Sequence, residues 1–361
     1  DVDSKYLKTD LLKSGELLVD NGKSMAPSES QSLGFYLMDE IYLGDQEQWI
    51  LSPSLRFDYY EINPRNNQSF LANSASVGFT PANYKNDAMG SPGLSIIHQW
   101  NKQINLYFSY NHGVRNPSAE ELNGFFEHPP TTSTTSSFII DANPNLKEET
   151  ADTFEIGTQA KFETNVLKFA AYQNFYDGFI DLVKQPSPGV VDLYSNDNLG
   201  GVEVYGFEFS SDWNEIKILD DFYPFQLGFS TSWSKGKQTD KEVPLNSIET
   251  WKTVVYTGYI SEDKLWGIRL YGTYRAPKKS EEIDQNLGEP FPIDDSMVID
   301  LTGWWKINEN WEFNAGVNNV TDEKYFLWSS ARRGGGHSSS SIDERNTQPG
   351  INGFLSLTAI F

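Results

Sequence analysis

Residues 264–275 read Lys264-Leu265-Trp266-Gly267-Ile268-Arg269-Leu270-Tyr271-Gly272-Thr273-Tyr274-Arg275. Trp266, Ile268, Leu270, Gly272 and Tyr274 fall on one parity, and Gly267, Arg269, Tyr271, Thr273 and Arg275 on the other. Successive side chains of an extended strand point to opposite faces, so a period of two with one apolar and one polar parity predicts a β-strand. The pattern recurs on both sides. Met297, Ile299, Leu301, Gly303 and Trp305 oppose Val298, Asp300, Thr302 and Trp304; Trp311, Phe313, Ala315 and Val317 oppose Glu312, Asn314, Gly316 and Asn318. Upstream, Ile104, Leu106, Phe108 and Tyr110 oppose Asn105, Tyr107, Ser109 and Asn111, and at the end Leu355, Leu357, Ala359 and Phe361 oppose Phe354, Ser356 and Thr358.

Extended over the chain, this reading predicts thirteen strands, at 33–43, 49–60, 93–100, 104–115, 151–162, 166–182, 203–213, 223–234, 249–260, 264–275, 296–307, 311–320 and 350–361. Tight connections at 44–48, 101–103, 163–165, 261–263 and 308–310, with a medium one at 214–222, alternate with long polar loops. Those loops are 61–92, 116–150, 183–202, 235–248, 276–295 and 321–349, and residues 1–32 read as a further long loop. Amphipathic strands suit either a soluble sandwich or a membrane barrel. Strands near ten residues, aromatics at strand ends, and short turns on one rim with long loops on the other favour an all-β, antiparallel transmembrane barrel. An antiparallel sheet closes on itself only with an even strand count, and an edge facing lipid would leave amides unpaired. An odd count therefore leads to the expectation that the chain is part of a larger barrel.

Composition agrees. The 361 residues carry 28 Lys plus Arg against 50 Asp plus Glu, a formal charge of −22 that disfavours nucleic acid. There are 10 Trp, 18 Tyr and 23 Phe, no Cys, and a mean hydropathy of −0.51. No apolar window approaches the roughly 20 residues of a membrane helix, and the lack of Cys removes disulfide scaffolds, Cys zinc sites and thiol catalysis. Neither Gly-x-Ser-x-Gly nor His-Glu-x-x-His occurs, so no catalytic constellation emerges and the chain is not expected to be an enzyme. Acidic pairs such as Asp220 with Asp221 and Asp294 with Asp295 lie in connections and read as solvated turns.

The most informative loop holds Val114-Arg115-Asn116-Pro117, then Phe125, Phe126 and His128, then Asn143-Pro144-Asn145-Leu146. The first run resembles the Phe-Arg-Ala-Pro box of TonB-dependent haem and haemoglobin receptors at two of its four positions, and the second matches their Asn-Pro-Asn-Leu box completely. Asn318, Asn319, Val320, Asp322, Lys324, Tyr325 and Trp328, followed by Arg332, Arg333 and Gly334, are similar to a motif of the haemoglobin-receptor branch. The resemblance spans residues 34–361. It implies a bacterial outer-membrane barrel of 22 strands, of which this chain would be the C-terminal part, with an N-terminal plug absent from the chain. It also implies haem as the transported ligand, a haem-carrying protein (haemoglobin or a haemophore) as partner, and energy from the TonB complex acting through the plug.

By that resemblance His128 captures the haem iron. Imidazole is a good axial ligand of ferric haem, and a loop can offer it and let go. Arg115, Asn143 and Leu146 of the two boxes are the accompanying haem-binding candidates, and Phe125, Phe126 and His337 the carrier-contact candidates. The same residues have plainer readings. Pro and Asn in the boxes can fix where strands emerge into a loop, and Phe125, Phe126 and Phe138 can pack the loop on itself. His98 and His112, at strand ends on the apolar parity, are expected at membrane interfaces. Two other functions fit part of the pattern: a ferric-siderophore or other metal-chelate receptor, and a soluble all-β binding module. A passive porin is a third.

Overall fold

The computed structural model describes residues 8–11, 17–20, 25–65, 80–128, 138–187, 192–218, 221–284, 292–332 and 347–359. Its main element is an antiparallel sheet built from β1 (Ser28–Met38), β2 (Trp49–Pro64), β3 (Tyr84–Gln99), β4 (Ile104–Arg115) and β5 (Glu149–Lys161). It continues through β6 (Asn165–Asp177), β7 (Val202–Ile218), β8 (Asp221–Gln238), β9 (Lys252–Ile260) and β10 (Trp266–Arg275). The last three strands are β11 (Ser296–Lys306), β12 (Trp311–Asn318) and β13 (Asn352–Ala359). Each pairs with its neighbours in chain order, and β1 and β13 are the two ends of the path. Among the described residues these are the thirteen strands read from the alternation, in the same order. Short pieces at Ile41–Leu43 and Val243–Pro244 add to β2 and β8.

Which face is greasy settles the class. Leu270 on β10 lies opposite Leu301 on β11, and Leu301 opposite Val317 on β12, so all three leave one face. Leu270 is 44% exposed, Trp305 52%, Ile156 56% and Leu355 77%. In a soluble sandwich a second sheet would cover these side chains, and among the described residues none does. An apolar face this extensive must meet lipid, which leaves the other face to line a lumen. His98 stacks on Trp49 at 4.1 Å near the short-turn rim, and the carboxylate of Asp152 accepts from Tyr110 O–H at 2.8 Å and meets His112 Nδ1 at 3.0 Å near the long-loop rim. Both histidines sit near strand ends on the apolar parity, where amphipathic rings favour a membrane–water boundary.

The lumen face is polar and cross-linked. Tyr107 O–H donates to Glu155 at 2.7 Å, Tyr256 O–H to Asp212 at 3.0 Å, and Arg269 Nε to Gln226 Oε1 at 2.8 Å. A hollow of about 580 Å³ runs along this face beside Tyr107, Glu155, Lys168, Glu208 and Lys252. Glycines in the strands have a use here. Tyr107 faces Gly157, Tyr172 faces Gly206, Tyr256 faces Gly228, Trp304 faces Gly267 and Phe354 faces Gly316, each directly across a strand pair. A Cβ on any of these glycines would meet the facing ring. The rings therefore lie flat along the wall and cover backbone that glycine leaves bare, which narrows the lumen less than upright aromatics would.

Strand extents differ from the alternation in several places. β2 and β3 continue to Pro64 and back from Tyr84, because Tyr60, Glu61 and Ile62 keep pairing with Asn86, Lys85 and Tyr84 above the amphipathic stretch. The same happens to β1, which starts at Ser28 inside the segment read as a loop. The medium connection expected at 214–222 is largely a continuation of the β7–β8 hairpin past a register shift between Asn214 and Ile216. Conversely, the strand expected to reach residue 182 leaves the wall at Asp177. Gly178 there has φ of +65°, a left-handed conformation that turns the chain away.

A charge placed on each face in turn tests this orientation. Leu270→Arg on the lipid face is expected to cost about 2–4 kcal/mol of folding stability in vesicles. Ser230→Glu on the lumen face should stay within about 0.5 kcal/mol. Denaturant titration followed by Trp fluorescence reads both, and equal costs at the two sites would contradict the assignment of faces.

Candidate functional site

Two long loops meet on one rim and form a small sheet of their own. Ile180–Gln185 pairs antiparallel with Asp192–Asn198, and Asp192–Asn198 pairs in parallel with Phe138–Asp141. Phe138–Asp141 in turn pairs antiparallel with Phe126–His128. The segment after β4 and the segment after β6 are thus one body, joined by backbone hydrogen bonds between residues more than fifty positions apart. Asn198 clamps its base: its Nδ2 donates to Gly178 O at 2.7 Å and Lys147 O at 3.1 Å, and its Oδ1 accepts from Lys147 N at 2.8 Å.

The first box begins this unit. Arg115, the last residue of β4, is opposite Glu149 at the start of β5. Its guanidinium forks, one nitrogen reaching Glu149 Oε2 at 3.0 Å and the other Glu121 Oε1 at 3.0 Å. Glu121 belongs to the short helix Ala119–Asn123, where it completes a capping box with Ser118, and Glu149 also accepts from Ile180 N at 3.0 Å. One arginine therefore holds the helix, the wall and the second loop together. At the helix end, Asn123 is fully buried and pairs with both backbone groups of Ala82, which brings in the loop between β2 and β3.

The second box is equally engaged. Asn143 Oδ1 accepts from Asn145 N at 3.0 Å, an Asx turn, and its Nδ2 donates to Asn196 O at 2.9 Å and Asp197 Oδ1 at 2.8 Å. Leu146, 3% exposed, packs with Ile62, Leu122 and Ile180. Arg115, Asn143 and Leu146 are thus brought together at the base of the rim unit; Asn143 is hydrogen-bonded and Leu146 buried, while Arg115 is doubly ion-paired with its side chain still 44% exposed. Phe126 packs on Phe138 at 5.7 Å between ring centres, Phe138 on Tyr194 at 6.3 Å, and Phe125 is half-buried. The His128 backbone pairs with Phe138; its side chain, and the whole of His337, lie outside the described residues. Among the described residues no three His, Cys, Asp or Glu side chains are grouped so as to hold a metal ion.

The remaining loops form a second body. Asn246 pairs with both backbone groups of Asp284, at 2.8 and 3.0 Å, and its carbonyl accepts from Trp328 Nε1 at 2.7 Å. Trp328 is 1% exposed among Ile283, Ile293 and Ala331. The Asn319 run explains itself in the same way: Asn319 donates to the carbonyls of Glu323 and Pro349 and accepts from Glu323 N, tying the start of the last long loop to its end. Burial pushes the Asp181 carboxyl above its ordinary range, an effect opposed by the Leu182 amide that it accepts and by Arg332, which links the two bodies electrostatically.

Alternation could not have shown Asn198 or Asn246 to be ties, because their partners are distant in sequence. Glu121 and Glu149, close to the first and second boxes, stood near a recognisable signal. Arg115→Lys keeps the charge and loses the fork. It is expected to open the Ser118–Gly124 segment by about 1.5–3 kcal/mol, read as faster amide exchange there with exchange in β7–β8 unchanged.

The chain has relatives of several kinds. It is 26% identical over 327 residues to hemoglobin-haptoglobin utilization protein B of Neisseria meningitidis, covering 82% of this chain and 39% of that protein. It is 28% identical over 268 residues to hemoglobin and hemoglobin-haptoglobin-binding protein A of Haemophilus influenzae, covering 70% of this chain and 24% of that protein. The chain thus spans about two-fifths or less of these relatives' length. Among solved structures, the copper transporter OprC superimposes with a TM-score of 0.74 at 16% identity, over 98% of this chain and 51% of that one. The ferric enterobactin receptor PfeA of Pseudomonas aeruginosa gives 0.65 at 16% identity, over 92% and 45%. The model of the family described as TonB dependent receptor-like, beta-barrel matches residues 7–320. With its amphipathic antiparallel wall and tied long loops, the chain belongs to that TonB-dependent receptor β-barrel family.

Proposed function

We propose that the receptor containing this chain sits in the bacterial outer membrane, takes haem from a haem-carrying protein of the haemoglobin class, and passes it inward with energy supplied through TonB. The observation that carries this reading is the shared rim sheet. Both boxes sit at the base of a unit whose outer strand, Phe126–His128, ends in an imidazole-bearing residue. The named partners of the similar Neisseria and Haemophilus proteins, haemoglobin and haemoglobin–haptoglobin, support the choice of cargo.

In this reading each residue acts by ordinary chemistry. His128 offers a neutral nitrogen to ferric haem iron. Arg115, Asn143 and Leu146 keep the strand carrying it in place and meet haem only at its edge. Phe125 and Phe126 supply an aromatic surface to the carrier protein, joined by His337 from the last long loop. The carrier is met by a rim rather than a closed pocket, which suits a ligand that must be handed on.

Haemin titration of the full-length receptor in detergent tests the proposal. Wild type is expected to shift the Soret band with saturation, and His128→Ala to weaken haemin binding at least tenfold. Phe126→Ala should weaken capture of haemoglobin while leaving free haemin binding within about twofold. A wild-type receptor that leaves the Soret band unmoved, yet binds a ferric siderophore, would replace haem as the cargo.

A further inference from the structure

Lys252 and Arg275 stand directly opposite each other on β9 and β10, so both side chains leave the same face. By parity that face is the lumen side, shared with Tyr256 and Arg269. Like charges directly across a strand pair repel and destabilise the sheet. A chain of net charge −22 has carboxylates to spare, yet neither cation makes an ion pair among the described residues. On the strand register the acid on one side is Glu208, opposite Ser232, which is opposite Lys252. That is two strand spacings, about 10 Å. On the other side Asp300 is occupied by the Asn319 amide at 2.7 Å.

The guanidinium also carries an unspent donor. Arg275 Nη1 is shut off from solvent with no acceptor, while the group lies 5.5 Å from the centre of the Tyr325 ring. Two more cations attend the same loop. Lys278, 6% exposed, donates to Ile248 O at 3.0 Å and lies 5.3 Å from the Trp328 ring, feeling Glu249 and Glu282 only at a distance. Arg332, which ends the helix Trp328–Ala331, has its Nε closed off without an acceptor, with Asp181 beyond ion-pair reach. A buried donor without a partner is destabilising, so cross-strand repulsion and unpartnered donors together favour an anion at this place.

We propose that the Lys252–Arg275 pair is a carboxylate-receiving site at the lumen mouth that takes the propionates of haem; the choice of haem rests on the function proposed above. The guanidinium supplies charge-assisted donors to a carboxylate oxygen and the lysine adds a point charge. An arriving anion relieves the cross-strand repulsion, so the empty site is strained and the filled one is not.

The test compares full-length wild type with Lys252→Gln and with Lys252→Gln/Arg275→Gln. Haemin and haem dimethyl ester, whose carboxylates are capped, serve as probes. The double variant is expected to bind haemin at least tenfold more weakly and the ester as wild type does, and Lys252→Gln alone should show an intermediate loss. Without ligand, Lys252→Gln should melt at the same or a higher temperature than wild type. Unchanged haemin affinity would overturn the proposal, and so would a melting point several degrees lower, since the pair would then be neutralised by another part of the receptor. If wild type binds no haemin, the haem reading fails separately. The anion site then stands only if inorganic pyrophosphate raises the melting temperature of wild type and not of the double variant, and falls if it raises neither.

Discussion

Every strand of the wall has to pair its backbone groups with a neighbour while turning one parity of side chains into hydrocarbon. Lipid cannot accept a hydrogen bond, so an N–H or C=O left open in the wall costs several kcal/mol. The antiparallel ladder satisfies that demand on both sides of β2 to β12 and on one side of β1 and β13. The rest follows from it: residues such as Leu270, Leu301 and Val317 look outward because their parity is apolar, and Arg269, Gln226 and Asp212 look inward because a hydrated lumen tolerates them. A one-residue slip anywhere would exchange the two sets.

This arrangement leaves the wall without a conventional core. Packed apolar clusters occur instead where loops fold over the rim, around Leu146, around Leu199 and around Trp328. Each joins side chains from different connections, so the rim is held by contacts of long sequence separation. Arg115, Asn198 and Asn246 have the same character in polar form: one side chain bridges two or three segments. Such ties give the loops a fixed shape toward a partner, while the strands beneath supply only a frame.

Charge is distributed with the same economy. The chain carries an acidic excess, yet Lys252 and Arg275 face each other in the lumen without an ion-pair partner among the described residues. On a ladder the two Cα positions are held side by side, which is why an in-register pair says more than two lysines on a loop would.

How far the sequence could be read depended on the range of the physics. Alternation is local, so the thirteen strands, their order and the face each presents were legible from parity in segments such as 264–275 and 296–307. Where side chains pack on loops from both sides, as at Tyr60 to Ile62, parity fades and strand ends were missed. The two boxes were legible as motifs, but their role as ties for Arg115 and Asn143 was not, because Glu121, Asn196 and Asp197 become partners only once the chain has folded. By itself the sequence determined the wall, since a two-residue period needs no knowledge of distant positions. Only the tertiary structure decided the parallel pairing of Phe138–Asp141 with Asp192–Asn198, the rings laid over glycines, and the facing cations, because each depends on which residues the register sets side by side.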